Sequence, residues 1–234
     1  GDVYKAYHKN LRTYVVLKKV KTEIRNLVNN RAEVDVLKNL RHSGLPQVYD
    51  FLEVDGDVYT VMTFVEGNSF QQYLDSGREF EEKSVIIWAR QICATLCYMH
   101  EQKPPIVHGD LKPENIMLRP DGNICLIDFN ISASLDGSAA WVTGYTNGYA
   151  APEQMEAMRY NQNELDSSHW KKADPRSDLY SFGATLYHLC CGHKPIADED
   201  GYVEDIQETG RKINTVFAAV IMKCLNRIRI SAIR

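Results

Sequence analysis

The chain has 234 residues, of which 44% are hydrophobic and 25% are charged, so it can bury a sizeable core and is not an intrinsically disordered segment. Its 27 Lys and Arg residues and 31 Asp and Glu residues give a net charge of −4 at pH 7, without the basic excess of proteins that bind nucleic-acid phosphates. No apolar run reaches the roughly 18 residues of a membrane span and the start shows no signal peptide, so we expect a soluble, cytoplasmic chain that contacts neither membrane nor nucleic acid.

Residues 1–64 are predicted to form a small β-sheet with one packed helix. Stretches rich in β-branched and aromatic residues predict strands at 3–7, 14–20, 47–54 and 57–64. The last two strands meet at Asp55-Gly56, a pair that suits the positive φ angles of a two-residue hairpin turn. Between the second and third strands, the apolar and polar residues from 33 to 40 repeat with the 3.6-residue period of a helix.

Beyond Gly67 the apolar residues repeat with a helical period, which predicts a mainly helical second part. Three stripes are expected to form ordinary core: Val85, Trp88, Ala89, Ile92, Leu96 and Met99; Leu179, Phe182, Leu186 and Leu189; and Ile213, Val216, Phe217, Val220 and Cys224. Between the first two stripes, Pro120-Asp121-Gly122 predicts a tight turn between two short strands. The polar segment 155–172 is predicted to be a surface insertion.

The most informative stretch is residues 108–115, His-Gly-Asp-Leu-Lys-Pro-Glu-Asn, which directly precedes the predicted strand, turn and strand. A hairpin of this length folds the chain back, so Asp128 at the end of the second strand is expected to return to Asn115 at the start of the first. Carboxylate and amide oxygens are hard ligands that suit Mg²⁺, which takes further ligands from substrate phosphates. Asp110 lies five residues before Asn115, close enough to reach a substrate hydroxyl beside that metal, and Lys112 adds a positive charge.

These residues resemble the protein kinase superfamily, in particular the catalytic domain of eukaryotic-type (Hanks-type) serine/threonine protein kinases. The resemblance covers nearly the whole chain, with five motifs in the family's order: Gly1-Asp2-Val3, Val15-Val16-Leu17-Lys18, residues 108–115, Thr146 to Glu153, and Ser177 to Gly183. It implies an α+β, bilobal fold. A small β-rich N-lobe with one helix, αC in the family, is expected at 1–64, and a larger, mainly α-helical C-lobe at 65–234.

For the nucleotide, the resemblance implies that Lys18 binds the α- and β-phosphates of ATP and that Glu33 orients this lysine through an ion pair. Lys19 is the alternative; Lys18 is preferred because strand alternation places it on the same face as Val16, which would cap the adenine. The other adenine contacts that the resemblance implies are Val3, Met117, the hinge from Thr63 to Val65, and Met62 as the gatekeeper.

For catalysis, the resemblance implies that Asp110 orients the substrate hydroxyl and accepts its proton, while Lys112 steadies the γ-phosphate and favours Ser or Thr over Tyr as the acceptor. Asn115 and Asp128 would hold Mg²⁺, or Mn²⁺ in its place. Thr146 is expected to hydrogen-bond near Asp110 and Lys112 as part of a peptide-binding platform. The implied partners are ATP and a protein that carries a Ser or Thr hydroxyl.

Other residues are given structural roles by the resemblance. Asp178 is expected to brace the loop at 108–115, which is the catalytic loop in the family. His108 is expected to pack in a hydrophobic spine with Phe129 and Leu37. Glu153 is expected to form an ion pair with Arg229 or, alternatively, with Arg227. None of these side chains is expected to touch the reacting groups.

Several positions depart from the family's usual pattern. Gly109 replaces the arginine that pairs with an activation-loop phosphate, so we expect activity without obligatory phosphorylation of that loop. Asn130 replaces a glycine, and Asn is the non-glycine residue that best tolerates positive φ. Gly1 matches the last glycine of the family's Gly-rich loop, which implies a loop that begins before it. The sequence Ala-Ala-Pro-Glu-Gln at 150–154 is similar to the corresponding sequence in eukaryotic-type kinases of bacteria.

Two other functions stay open at this point. Gly109 also fits a small-molecule phosphotransferase of the aminoglycoside or choline kinase type, in which His-Gly-Asp is the usual spelling. The same departures fit a pseudokinase, a scaffold that binds nucleotide without transferring phosphate. Against the first, Lys112 and the platform motif indicate a protein substrate. Against the second, the residues that a pseudokinase usually loses are all present: Lys18, Glu33, Asp110, Asn115 and Asp128.

Overall fold

The computed structural model describes residues 2–19, 38–103, 105–128, 145–163, 174–196 and 203–225. The roles predicted for some residues therefore concern positions outside the described ranges: Glu33, Leu37, Phe129, Asn130, Arg227 and Arg229. No helix within the described ranges is long and apolar enough to cross a membrane.

A four-stranded antiparallel sheet lies in the first part of the described chain. Its strands are β1 (Val3–His8), β2 (Thr13–Lys19), β3 (Val48–Val54) and β4 (Asp57–Thr63), in the spatial order β1-β2-β4-β3. All four predicted strands are confirmed, with ends that differ by a single residue. Asp55 and Gly56 have φ angles of 51° and 77°, so the predicted hairpin turn is confirmed as well.

The register of this sheet decides which side chains face the candidate site. Val3 lies opposite Lys18, and Val16 lies opposite Met62. Directly opposed residues point to the same face of a sheet, and successive residues of a strand point to opposite faces. Val3, Val16, Lys18 and Met62 therefore share one face, and Lys19 lies on the other.

The second part of the described chain is mainly helical. Its helices are α1 (Phe70–Asp75), α2 (Glu82–His100), α3 (Pro152–Asn163), α4 (Pro175–Cys191) and α5 (Thr215–Leu225). A small antiparallel sheet accompanies them, made of β5 (Asn68–Ser69), β6 (Ile116–Leu118) and β7 (Ile124–Leu126). Helix α2 buries the whole predicted stripe from Val85 to Met99, and its Trp88 packs against Phe70 with ring centroids 4.8 Å apart. These elements confirm the predicted α+β organisation.

The predicted stripe at α5 is buried only in part. Phe217 and Cys224 of the helix, and Ile213 just before it, are partly buried and pack against the core. Val216 and Val220 are 71% and 47% exposed, and the buried residues are Ala218, Ile221 and Leu225. Gly183 of α4 permits a close approach of the two helices, since a Cβ added there would lie only 2.6 Å from Cβ of Cys224. The contact of α5 with α4 is thus made in part by Cys224, a residue of the predicted stripe.

Two other expectations are corrected. Leu179 of α4 is 43% exposed, because the buried side of that first turn carries Ser177, Asp178 and Ser181 instead. The polar segment predicted at 155–172 is not a surface insertion throughout. Residues 155–163 belong to α3, which buries Gln154, Ala157 and Asn161, and the segment from 164 lies outside the described ranges.

Candidate active site

The hairpin of β6 and β7 brings the two predicted metal ligands together. Asn115 ends a 3₁₀ turn (Pro113–Asn115) directly before β6, and the N–H of Ile127 donates to its backbone carbonyl at 2.8 Å. Asp128 follows Ile127, so it lies beside Asn115, as the hairpin predicts. Asp128 has a φ of 63°, a conformation that is rare for non-glycine residues and clusters at functional sites.

Asn115 also holds Asp110. Its Nδ2 donates to the backbone carbonyl of Asp110 at 2.7 Å and to Oδ2 of the same residue at 3.1 Å. Both bonds use the amide nitrogen, so the carbonyl oxygen lies on the other side of the amide group. An amide oxygen presented in this way is a hard ligand for a divalent cation.

Lys18 reaches this hairpin from the four-stranded sheet. Its Nζ contacts Oδ1 of Asp128. Lys19 pairs instead with Asp57 on the opposite face, with Nζ and Oδ2 2.5 Å apart. Of the two adjacent lysines, the structure places Lys18 beside the predicted metal ligands, and the alternation of side chains along β2 explains why.

Asp110, Lys112 and Thr146 form a hydrogen-bonded triangle. The Thr146 hydroxyl donates to Oδ1 of Asp110 at 2.6 Å and accepts from Nζ of Lys112 at 2.8 Å. Nζ of Lys112 also lies 3.0 Å from Oδ2 of Asp110. Burial alone would lower the pKa of Lys112, but its bonds and charge interactions with Asp110 and Glu114 outweigh burial and raise that pKa. Lys112 therefore stays charged at neutral pH.

Asp178 ties the start of the catalytic loop to α4. Its fully buried carboxylate accepts hydrogen bonds from the backbone N–H groups of His108 and Gly109, each at 2.8 Å. Nε2 of His100, the last residue of α2, lies 2.8 Å from Oδ2 of the same carboxylate. Bonds to an ionised acceptor are shorter and stronger than neutral ones, so this side chain holds the loop backbone firmly.

His108 and Glu153 occupy supporting positions. His108 is fully buried, and burial lowers its pKa, so the ring is neutral at pH 7. Glu153 accepts a long hydrogen bond, 3.4 Å, from the Ser177 hydroxyl. Its predicted partner Arg229 lies outside the described ranges.

Of the residues predicted to contact adenine, Val3, Val16 and Met62 lie on the sheet face of Lys18, and Met117 lies on β6. The Thr63 side chain lies on the opposite face, because Thr63 pairs with Val15. Met62 is 9% exposed, and Val3 at the start of β1 is 59% exposed. Thr63 is the last residue of β4, and Val65 follows it. Met117 lies at the centre of β6, where it pairs with Ser69 and Cys125. The Thr63 hydroxyl accepts a hydrogen bond from the N–H of Gln47 at 3.1 Å, which anchors the first residue of the hinge.

Sequence reasoning missed two residues that hold the catalytic loop. One is His100, which reads as an ordinary basic residue at the end of a helix. The other is Gln154, whose Nε2 donates to the backbone carbonyl of Gly109 at 2.7 Å. Gln154, Ala157 and Asn161 do recur at helical spacing, but a stripe with so little apolar surface gives no hydrophobic signal.

The oxygens of Asn115 and Asp128 suit a particular kind of metal site. Within the described ranges, no group of three or more His, Cys, Asp or Glu side chains could hold a metal ion. Mg²⁺ is commonly bound by one or two protein oxygens and completes its shell with substrate phosphates and water. The two side chains fit that chemistry.

Known proteins are similar to this chain in both sequence and fold. A model of the protein kinase domain matches residues 1–229. The chain is 30% identical to serine/threonine-protein kinase cds1 of Schizosaccharomyces pombe over 70% of this chain and 34% of that protein. It is 33% identical to serine/threonine-protein kinase Nek1 of Mus musculus over 69% of this chain and 12% of that protein. The chain thus spans about a third or less of the length of these relatives.

The fold is similar to that of a solved kinase. A crystal structure of Rad53 1-466 in complex with AMP-PNP matches with a TM-score of 0.73 and 22% sequence identity, over 96% of this chain and 56% of that chain. This likeness confirms the predicted bilobal, kinase-like fold. The match of the family model to nearly the whole chain shows that the chain belongs to the protein kinase domain family.

Proposed function

We propose that this chain is the catalytic domain of a serine/threonine protein kinase, which transfers the γ-phosphoryl group of Mg²⁺-bound ATP to a protein hydroxyl. The observation that carries the proposal is the triangle of Asp110, Lys112 and Thr146. It joins a carboxylate that can accept a proton, a cation for the transferred phosphate and the segment proposed to hold the peptide.

Each side chain of the site has a role in this proposal. Asp110 orients the incoming hydroxyl and accepts its proton, and Lys112 balances charge on the γ-phosphate. Lys18 positions the α- and β-phosphates. Asn115 and Asp128 would hold Mg²⁺ or Mn²⁺, which would neutralise charge on the phosphates.

The adenine subsite is proposed on the sheet face of Lys18. Val3 and Val16 would cover the ring from the sheet and Met117 from β6, and backbone groups of the hinge from Thr63 to Val65 would bond its edge. Met62 is buried at the back of this face, where a large side chain limits the depth of the subsite.

Three roles involve residues outside the described ranges. We propose that Glu33 pairs with Lys18, that Phe129 packs with the buried His108, and that Arg229 or Arg227 pairs with Glu153. In the same way, residues 1–64 and 65–234 are proposed as the two lobes of one kinase domain.

The peptide platform favours a protein substrate over a small alcohol. Thr146 is hydrogen-bonded to both Asp110 and Lys112. The backbone N–H of Tyr149 donates to the Thr146 carbonyl at 3.1 Å, and the Tyr149 hydroxyl lies 2.6 Å from Nδ1 of the buried His188. An ordered segment beside the catalytic carboxylate can align an extended peptide, which a small-molecule phosphotransferase does not need.

Transfer assays separate the candidate functions. The full-length protein with Mg²⁺ and labelled ATP is expected to phosphorylate casein or itself on Ser and Thr, and to leave choline and aminoglycosides unmodified. Label in the small alcohols and none in protein would establish the small-molecule function instead. Nucleotide binding without transfer to any acceptor would establish the pseudokinase.

Gly109 also predicts how the activity responds to phosphatase. A glycine cannot supply the guanidinium that would pair with a phosphate on the activation segment, so the active arrangement should not depend on that phosphate. The protein treated with a general phosphatase is expected to keep its initial transfer rate within about twofold of a mock-treated sample. Mass spectrometry should verify removal of phosphate from Ser and Thr, and a large fall in rate after verified removal would contradict this prediction.

A further inference from the structure

We propose that Gln154 is a positioning residue for Asp110, which it sets in place by holding the peptide group between Gly109 and Asp110. The proposal rests on the protein kinase function proposed above and adds a residue that acts through the loop backbone. The hydrogen bond from Gln154 to Gly109 would also link the activation segment to the catalytic loop, as a phosphate on that segment does in other kinases.

The Gln154 side chain is built into the protein. It lies in the first turn of α3 and is 5% exposed. Its Nε2 donates to the Gly109 carbonyl at 2.7 Å. A carbonyl oxygen only accepts hydrogen bonds, so the amide must present its NH₂ group to Gly109, and the orientation of the side chain is defined.

Gly109 is the residue that needs such a restraint. Its φ is 76°, in the left-handed region that glycine adopts without cost, and the same freedom allows the following peptide group to rotate. Asp178 fixes the N–H of Gly109 at 2.8 Å, but this bond lies on the other side of the α-carbon. Among the residues that the structure describes, the Asp110 N–H has only a long contact, 3.4 Å, to Nδ1 of His108. The Gln154 bond is therefore the short contact that orients the peptide leading into Asp110.

The bond also couples two functional segments. Gln154 follows the platform residues by a few positions, and Thr146 of that platform is bonded to the Asp110 carboxylate at 2.6 Å. The segment 146–154 is thus tied to the catalytic loop twice, through the Asp110 side chain and through the Gly109 backbone. Neither tie uses a phosphate, which agrees with the absence of an arginine at position 109.

The first test replaces Gln154 by Met, which keeps the length and volume of the side chain but cannot donate. The expected result is a fall in kcat of roughly tenfold to 10²-fold, the cost of a misplaced catalytic group, with the KM for ATP unchanged. The matched control is Gln91→Met, which removes a 2.9 Å bond between a glutamine Oε1 and the backbone N–H of Ile124, at the far end of the β6–β7 hairpin. That control should lower thermal stability and leave kcat unchanged.

A second variant, Gln154→Glu, tests the role through the pH dependence of kcat, which would not change if Gln154 only stabilised the fold. A protonated Glu can donate to the Gly109 carbonyl, whereas an ionised Glu faces that oxygen with a negative charge. Burial raises the pKa of such a carboxyl, so kcat of the variant relative to wild type should rise as the pH falls from about 8 to about 6. The other titratable groups near this bond are Asp178, His100, His108, Asp110, Lys112 and Glu153. All are present in both proteins, so the ratio removes the pH effects that the two proteins share.

The outcomes distinguish this inference from the proposed function. If the wild-type protein transfers no phosphate, the kinase proposal fails. If the wild type is active and Gln154→Met, folded by its thermal unfolding curve, keeps kcat within twofold, the positioning role is overturned. A ratio of Gln154→Glu to wild type that does not change with pH would also overturn it. A low kcat for Met together with partial rescue of Glu at low pH supports the role.

Discussion

Replacement of Asp110 by Asn is expected to lower kcat by about 10²- to 10⁴-fold, the usual contribution of a positioned general base. The substitution keeps the size of the side chain but removes the proton acceptor. It also turns an NH₂ group toward groups that donate hydrogen bonds to Asp110. On the Oδ1 side this donor is the Thr146 hydroxyl at 2.6 Å, and on the Oδ2 side the donors are Nδ2 of Asn115 at 3.1 Å and Nζ of Lys112 at 3.0 Å. Nucleotide binding should change little, because Asp110 acts on the acceptor hydroxyl rather than on ATP.

The experiment for Asp110 needs two measurements on the same variant. Single-turnover transfer to a protein substrate reports the chemical step, and titration with Mg²⁺ and a non-hydrolysable ATP analogue reports binding. Asp121→Asn is the matched control, because Asp121 caps the exposed turn of the same hairpin and an Asn oxygen can replace its 2.9 Å bond to the N–H of Asn123. Transfer by Asp110→Asn at a rate close to wild type would remove Asp110 from the role of base.

Replacement of Lys18 by Ala is expected to lower kcat by about 10²-fold, because the phosphates lose the group that aligns them for transfer. The loss should appear mainly in kcat and less in the KM for ATP, since many contacts other than Lys18 would bind the nucleotide. The contact between Lys18 and Asp128 shows that this side chain reaches the proposed metal ligands from the sheet.

The adjacent lysine is the control for Lys18. Lys19→Ala breaks the ion pair with Asp57 on the opposite face of the sheet and should leave kcat within about twofold of wild type. Steady-state kinetics of the two variants side by side therefore test the assignment. A larger loss for Lys19→Ala than for Lys18→Ala would show that the wrong lysine was chosen.

Local sequence signals predicted much of what places the site. The turn at Asp55-Gly56 predicted the hairpin of β3 and β4, and strand alternation along β2 predicted that Lys18 and Lys19 face opposite sides of the sheet. The turn at Pro120-Asp121-Gly122 predicted that Asp128 returns to Asn115. These features depend on short stretches of chain, where residue type and spacing are sufficient.

Features that depend on contacts between distant segments could not be predicted in this way. The burial of Ala218 on α5, with Val216 and Val220 exposed, depends on the neighbours that pack against that helix, and a periodicity within α5 carries no information about them. The bond from Gln154 to Gly109 joins residues 45 positions apart. Its acceptor is a backbone carbonyl, which every residue type has, so the sequence does not indicate the partner of Gln154. Buried polar contacts of this kind become visible only once the fold is known.

The proposed chemistry requires little of the protein beyond position and charge. In phosphoryl transfer, the reacting groups must be held in line and the developing negative charge balanced. Asn115 and Asp128 are joined by a hairpin, Asp110 is held by Asn115 and Thr146, and Lys18 approaches from a separate sheet. Elements from both parts of the chain must therefore be correctly packed before the site exists.

A structure of the full-length protein with Mg²⁺ and a non-hydrolysable ATP analogue tests the central claim most directly. The expected result is a cation bound by the amide oxygen of Asn115 and the carboxylate of Asp128 at about 2.0–2.1 Å, with the Asp110 carboxylate outside its shell and facing the γ-phosphate. Asn115 and Asp128 held apart, with neither bound to a cation while nucleotide fills the site, would contradict the claim.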